Sequence, residues 1–326
     1  MRFIFRTMLL LVLLLAVAVG YFAYAPMALP STPFAFNLQS GSSLKTVAHQ
    51  LGKERLLDQE LIFVWLGRLS GKAGQIKTGE YSLSTPVNMM ELLEIISKGQ
   101  VNQSQLSVIE GWSFKQFRAA VNEHPSLKHN TQALSDVELL QRIGATEIHP
   151  EGLFFPDTYN FASGSSDVQI FKRAYETMQQ RLAQAWAGRE AGLPLATPYE
   201  ALILASIVEK ETGTPSDRDM IAGVFVNRLR RGMLLQTDPT VIYGMGDKFD
   251  GNIRRKDLHI DTQYNTYTRA GLPPTPIALP GVAALHAALH PAKTDAVYFV
   301  ARGDGSSQFS NNLAAHNRAV QRFQIK

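Results

Sequence analysis

Two glutamates close one of the most apolar stretches of this chain, Ala201-Leu-Ile-Leu-Ala-Ser-Ile-Val-Glu-Lys-Glu211. At helical spacing Leu204, Ile207 and Val208 share one face, Glu211 falls in the middle of that face, and Glu209 points to the opposite side. A carboxyl on a buried stripe loses hydration, and the negative C-terminal end of the helix dipole further opposes its ionisation. Both effects raise the pKa, which is what a general acid working near neutral pH requires. A structural ion pair, or a helix end emerging into solvent, would account for the helix alone equally well. The loops that follow are rich in polar and aromatic groups: Leu235-Gln-Thr-Asp-Pro-Thr240 leads into Val241-Ile-Tyr-Gly244, and Gln263-Tyr-Asn-Thr-Tyr-Thr268 into Gly271-Leu-Pro-Pro274. Tyrosine faces stack on pyranose rings, and amides, hydroxyls and carboxylates bond sugar hydroxyls. The competing reading makes the prolines turn punctuation and the tyrosines core.

Other spaced pairs carry less. His286 and His290 have a spacing able to bind zinc, but no glutamate follows His286 and no third ligand is evident, so no metal is expected. Glu151 and Asp157 are a spaced carboxylate pair among Phe154, Phe155, Pro156 and Tyr159, which reads as packing at a domain junction.

The elements that must position these groups are legible in outline. Thr197, Pro198 and Glu200 form a helix start with a capping box ahead of Ala201. A second helix is expected from Asp217 to Arg231, capped by Ser216 and ended by Gly232. Asn227, on its inner side, either hydrogen-bonds the acid or is structural. A hairpin is expected from Ala296–Ala301 and Ser306–Ser310 through Gly303-Asp304-Gly305. Upstream, a strand at Phe34–Leu38, helices from Leu44, over Asp58–Leu69 and over Met89–Ser97, and a strand at Gly79–Leu83 make a small α+β module. Between them, Ser104–Ile109 alternates like a strand, and Phe114–Val121 and Asp167–Trp186 read as helices.

The chain of 326 residues is long enough for two domains with their own cores. Its first residues are different: after Arg2 and Arg6 no charge appears until Lys45, and Met8–Ala25 is an uninterrupted apolar run. As a helix that run spans roughly 27 Å, close to the hydrocarbon thickness of a bilayer. The flanking arginines place the N-terminus in the cytoplasm. Ala23-Tyr24-Ala25 also resembles a signal cleavage site, but Pro26 after it hinders cleavage, so the expectation is a retained anchor followed by a linker, Pro26–Pro33. There is no cysteine, which excludes disulfides, thiolate nucleophiles and Cys-ligated zinc. Without Arg2 and Arg6 the 32 basic residues become 30 against 28 acidic ones. With no dense basic stripe, nucleic-acid binding is not expected.

Taken together, Ala205-Ser-Ile-Val-Glu-Lys-Glu-Thr212, Phe225-Val-Asn-Arg-Leu229, Leu235–Gly244, Tyr264–Thr268, Gly271–Pro274, His290-Pro-Ala292, Tyr298-Phe-Val300, Asn312-Leu313 with His316-Asn317, Glu110-Gly-Trp112, and Glu151-Gly152 with Phe155–Tyr159 resemble the YceG-like endolytic murein transglycosylase (MltG) family. The resemblance covers nearly the whole chain. It implies an α+β protein: a cytoplasmic N-terminus at 1–7, a transmembrane anchor at 8–26, a LysM-like module at 34–100, a connecting region at 101–195 and a catalytic domain at 196–326.

It also implies cleavage between N-acetylmuramic acid and N-acetylglucosamine inside nascent glycan strands, leaving 1,6-anhydromuramic ends, in the periplasm beside the bacterial inner membrane. The family's catalytic glutamate aligns with Glu211, the residue that the helical wheel selects, with Glu209 as the fallback. Asn227, Gln236, Asp238, Thr240, Tyr243, Tyr264, Asn265, Thr266 and Tyr267 are candidates for lining the glycan groove. No cofactor is implied. Expected partners are peptidoglycan strands, the membrane through 8–26 and, by resemblance only, a peptidoglycan synthase complex. Two alternatives stay open: a hydrolase leaving reducing ends, with Asp238 activating water, and a non-catalytic glycan-binding scaffold.

Overall fold

The computed structural model of the chain describes residues 2–32, 34–39, 41–99, 103–211 and 215–324. They form two compact units: residues 1–105 with 125–128 and 160–165, and residues 106–124 with 129–159 and 166–326. Thr212 and Pro33, which close the glutamate motif and the linker in the sequence, lie outside the described residues.

The first unit begins with helix α1, Arg2–Tyr24. The side chains of residues 2–5, 11, 12, 15 and 16 are not among those described. Among the described residues no helix is long and apolar enough to cross a membrane. Strand β1 (Phe34–Leu38), helices α2 (Leu44–Lys53) and α3 (Glu60–Leu69), strand β2 (Gly79–Leu83) and helix α4 (Met89–Lys98) follow. β1 and β2 pair antiparallel, Phe34 opposite Leu83 and Leu38 opposite Gly79. The alternation of β1 turns Phe34, Phe36 and Leu38 inward, where Phe36 stacks on Tyr81 at 5.3 Å. The buried faces of α2 and α4 cover this pair, α2 starting at a Ser43 cap and α4 at an Asn88/Glu91 capping box. On α3 the inward residues are Phe63, Val64 and Gly67, while Leu61, Trp65 and Leu69 are exposed.

Along the rest of the chain run β3 (Gln103–Ser107), α5 (Phe114–Glu123), β4 (Leu127–Lys128), α6 (Asp136–Ile143), β5 (Thr158–Ala162), β6 (Ser165–Ser166), α7 (Asp167–Ala187), α8 (Pro198–Glu211), α9 (Arg218–Arg230), α10 (Asp238–Met245), α11 (Val282–Leu289), β7 (Tyr298–Ala301), β8 (Ser307–Ser310) and α12 (Leu313–Phe323). Every sheet among the described residues is two-stranded, β7–β8 being the expected hairpin. The second unit is therefore organised by helix packing rather than by a sheet.

Helix α8 is its centre. Every residue from Ala201 to Val208 is buried, because α7, α9, α10 and α11 pack around it. Its start is the expected capping box, reaching one residue further: Thr197 Oγ1 accepts from Glu200 N–H and Glu200 accepts from Ala196 N–H. Ser206, the one polar residue in the buried run, donates to Ile203 O and accepts from Ile277 N–H. Helix α9 is entered differently from the sequence expectation. A 3-10 turn, Pro215–Asp217, precedes it in place of a Ser216 cap, and the Asp217 carboxylate accepts from the Ser307 N–H of β8. Gly232 ends α9 at φ +65° as expected. A second cluster within this unit joins Phe114 and Phe117 of α5 to Phe154 and Phe171, with ring centroids 5.0 to 6.3 Å apart.

Candidate active site

Glu211 is the last residue of α8. Its Oε1 accepts a hydrogen bond from the Thr237 hydroxyl, and among the described residues Oε2 has no partner. Burial raises its pKa above the ordinary glutamate value; the Thr237 bond pulls it back, and the nearby charge of Asp238 pushes it up again. One carboxyl oxygen is thus fixed by a hydroxyl donor.

The sequence around Thr237 explains how that hydroxyl comes to be aimed at the acid. Thr237 is the N-cap residue of α10, and Pro239, in the first turn, has no N–H to offer it. The Thr237 side chain makes no capping bond. Its backbone N–H is instead held by Thr266 Oγ1 at 3.1 Å, and Thr240 Oγ1 bonds both Thr237 O and Thr266 Oγ1 at 2.7 and 2.8 Å. All three threonines are buried.

The other carboxylate here is Asp238, which accepts from the Tyr267 hydroxyl at 2.5 Å. Burial raises the Tyr267 pKa, and the Asp238 bond adds to it, so this phenol stays a donor. Tyr267 is positioned by Asn265, whose Oδ1 accepts from Tyr267 N–H at 2.8 Å and whose amide donates to Leu258 O and Ile260 O.

Just upstream of Thr237, Gln236 holds a left-handed φ of +50°, a conformation disfavoured for a side chain with a Cβ. Arg228 sustains it. This buried guanidinium donates to Val297 O at 2.6 Å, to Leu234 O and Leu235 O at 3.0 Å and to Gln236 Oε1 at 3.2 Å. Its ζ carbon lies 5.1 Å from the Tyr298 ring centroid.

Glu209 does not turn into solvent. Its carboxylate accepts from the Gly281 N–H at 2.9 Å, and burial, then the charge of Glu110, raises its pKa against that bond. The Glu110-Gly-Trp112 loop is docked on the same place: Gly111 O accepts from Lys210 Nζ, Gly111 N–H donates to Leu279 O, and Leu279 N–H to Trp112 O.

Among the expected groove residues, Gln236 is exposed, and Asp238, Tyr243 and Tyr267 are partly exposed. Thr240, Tyr264, Asn265 and Thr266 are buried. The amide of Asn227 is taken up by Thr294 O and Ala296 O at 2.8 and 3.0 Å. Tyr243 lies against Tyr264 with centroids 4.8 Å apart, and its hydroxyl donates to Glu151 at 3.1 Å. Glu151 also accepts from Phe114 N–H at 2.9 Å, and its burial lifts the carboxyl to about 7. Gly152, at φ +79°, fixes this position, because a Cβ there would lie 2.3 Å from Pro276.

Thr237, Arg228 and Glu151 are the site residues that sequence reasoning did not select. For Thr237 a signal existed in Thr-Asp-Pro, a cap residue whose N2 partner has no proton. His286 and His290 stack on each other at 4.6 Å. Among the described residues no group of three or more potential ligands could hold a metal.

A partly enclosed carboxyl with one oxygen unpartnered among the described residues, flanked by a tyrosine, a carboxylate and an exposed glutamine, can move a proton on and off a bonded oxygen. Residues 36–322 match the model of the YceG-like family. An endolytic murein transglycosylase of Bacillus subtilis (strain 168) is 31% identical over 309 residues, covering 90% of this chain and 85% of that protein. A protein of the same name from Streptococcus pneumoniae serotype 2 is 28% identical over 353 residues, covering 95% of this chain and 63% of that one. The 2.6 Å crystal structure of a putative YceG-like protein from Listeria monocytogenes aligns with a TM-score of 0.56 at 30% identity, covering 88% of this chain and 98% of that one.

Proposed function

Because the chain belongs to the YceG-like family, whose model spans residues 36–322, we infer that it shares its relatives' activity and is an endolytic murein transglycosylase, a lyase acting on peptidoglycan. The observation that carries the mechanism is the state of Glu211: a carboxyl raised by burial and by Asp238, with Oε1 held by Thr237.

In the proposed reaction, protonated Glu211 donates from Oε2 to the glycosidic oxygen between N-acetylmuramic acid and N-acetylglucosamine. As the bond breaks, the carboxylate accepts the proton of the muramic C6 hydroxyl, whose oxygen attacks C1. The product is a 1,6-anhydromuramic end, and Glu211 is protonated again. Each step uses the same carboxyl, so no second catalytic acid is required. Asp238 serves by charge, raising the proton affinity of Glu211, while its oxygen is held by Tyr267. Gln236, Asp238, Tyr243 and Tyr267 face solvent enough to meet the strand; Thr240, Tyr264, Asn265, Thr266 and Asn227 shape that surface from behind.

Residues 8–26 serve as a single-pass inner-membrane anchor with the catalytic unit on the periplasmic side. The apolar run Met8–Ala25 and the preceding Arg2 and Arg6 support this. Tethering raises the effective concentration of enzyme at newly made strands. The order strand, helix, helix, strand from Phe34 to Leu83, with the two strands paired, supports a LysM-like module.

The proximity of Asp238 to Glu211 favours one competing reading, a hydrolase in which Asp238 activates water. Digestion in heavy-oxygen water separates them. The transglycosylase releases anhydro ends lighter by one water and free of label, whereas a hydrolase incorporates label at the new reducing end.

A further inference from the structure

The turn that brings Thr266 to Thr237 also brings Tyr264, two residues earlier, to a different cavity. This cavity, of about 470 Å³, is lined by Tyr199, Tyr264, Gln263 and Thr275 together with the Glu147–His149 segment. Glu211, Thr237 and Asp238 are not among its lining residues. Its size falls in the range of sites for small organic ligands.

We propose that this cavity is a binding subsite for a neutral N-acetylhexosamine residue of the glycan strand, distinct from the surface around Glu211; it rests on the reading of the enzyme as one that acts on glycan.

The chemistry of the lining carries the assignment. Tyr199 is partly exposed, and among the described residues its hydroxyl has no hydrogen-bond partner. Burial, then the charges of Tyr264, Glu147 and Glu151, push its pKa up to about 12, so it stays a phenol able to donate to a sugar oxygen. The Tyr264 hydroxyl is instead paired with Thr275 Oγ1 at 3.0 Å, so what Tyr264 offers the cavity is its ring. A phenol ring and a free phenolic hydroxyl converging on one space suit a pyranose, which has an apolar face and polar edges.

The remaining lining selects against charge. Among the described residues no lysine or arginine lines the cavity. The one acid among its described lining residues, Glu147, already accepts from the Tyr175 hydroxyl at 2.9 Å and from the Gln179 amide at 3.4 Å. Gln263 and His149 are exposed at its edge and can bond an acetamido group, and Ile148, 73% exposed, offers a surface for its methyl. The unsubstituted sugar of the strand meets these conditions better than the one that carries a lactyl ether and a peptide.

The test is a calorimetric titration of the full-length chain in detergent, carrying Glu211→Gln, with the neutral N-acetylglucosamine tetramer. Binding is expected, and adding Tyr199→Ala is expected to weaken it by about tenfold, the effect of losing one hydrogen-bond donor to the sugar. Gln263→Ala, at an exposed position, is expected to weaken it by a smaller factor without lowering Tm. Absence of binding overturns the proposal. So does unchanged affinity in Tyr199→Ala or, if that variant has a lowered Tm, in Gln263→Ala. Failure of the catalytic reading would show differently, as strand cleavage retained by Glu211→Gln, and does not depend on the titration.

Discussion

Thr237 stands at the N-cap of α10, and its hydroxyl donates to Glu211 at the C-terminus of α8. A cap residue ordinarily satisfies its own helix. Here the proline at N2 has no N–H to satisfy, and the hydroxyl is left for the acid. The bond joins two residues 26 apart in sequence and fixes one of the two carboxyl oxygens of Glu211.

Replacing Thr237 with valine keeps the shape and removes the donor. A hydrogen bond to an ionisable group contributes about 1.5–3 kcal/mol, so kcat is expected to fall roughly 10- to 100-fold. The Thr237 bond lowers the Glu211 pKa, so its loss moves the alkaline limb of the pH–rate profile upward. A limb that stays in place would mean that Thr237 acts on something other than the acid.

Asp238→Asn should move the same limb the other way. The charge of Asp238 raises the Glu211 pKa. A general acid works only while protonated, so activity is lost as pH rises through that pKa. Removing the charge lowers it and brings the loss on at lower pH, and the substituted amide oxygen can still accept from Tyr267. Total inactivity with no residual anhydro product would instead make Asp238 a direct participant.

Glu151 predicts a pH dependence of stability rather than of catalysis. Its pKa is about 7 in the fold, against 4.5 for an ordinary glutamate. Between these values the folded state binds more protons than the unfolded one, so stability falls as pH rises across that window. The full difference is on the order of 3 kcal/mol. Glu151→Gln can keep the acceptor for Phe114 N–H and the contact with Tyr243. It is expected to flatten Tm between pH 4.5 and 7 and to raise it above neutrality. A Tm profile parallel to that of the wild type would refute the assignment.

Arg228 holds three carbonyls and the Gln236 amide oxygen in a buried setting. Lysine cannot reproduce that fork, so Arg228→Lys is expected to cost about 2–3 kcal/mol of stability, from buried acceptors left unpaired. The Leu234–Gln236 turn should loosen with it, lowering kcat as well. Protection of the Thr237 amide against hydrogen exchange reports this directly and should fall in the variant.

Helix α8 was legible because apolar residues run without interruption into Glu211 and because Thr197 and Glu200 announce its start. The hairpin from Tyr298 to Ser310 was legible for a similar local reason, strand alternation broken by Gly-Asp-Gly. The second unit's reliance on residues upstream of 196 was not: Glu151 meets Phe114 and Tyr243 across 37 and 92 residues, and no local pattern encodes a pairing of that range. The surroundings of Glu209 were not legible for a related reason. A wheel drawn on one helix gives the side that a residue takes, not the loops at Gly111 and Gly281 that cover it. The burial of several candidate groove residues was not legible either. Asn265 and Thr266 have the chemistry of sugar ligands, and the fold uses that chemistry to hold Tyr267 and Thr237.

The central claim is that Glu211 alone carries the proton through both halves of an intramolecular transglycosylation. The most direct measurement is mass spectrometry of fragments released from peptidoglycan by the full-length chain and by Glu211→Gln. The prediction is anhydromuramic ends from the wild type and none from the variant, with strand binding retained by both. Anhydro ends released by Glu211→Gln, or hydrated reducing ends released by the wild type, would contradict it.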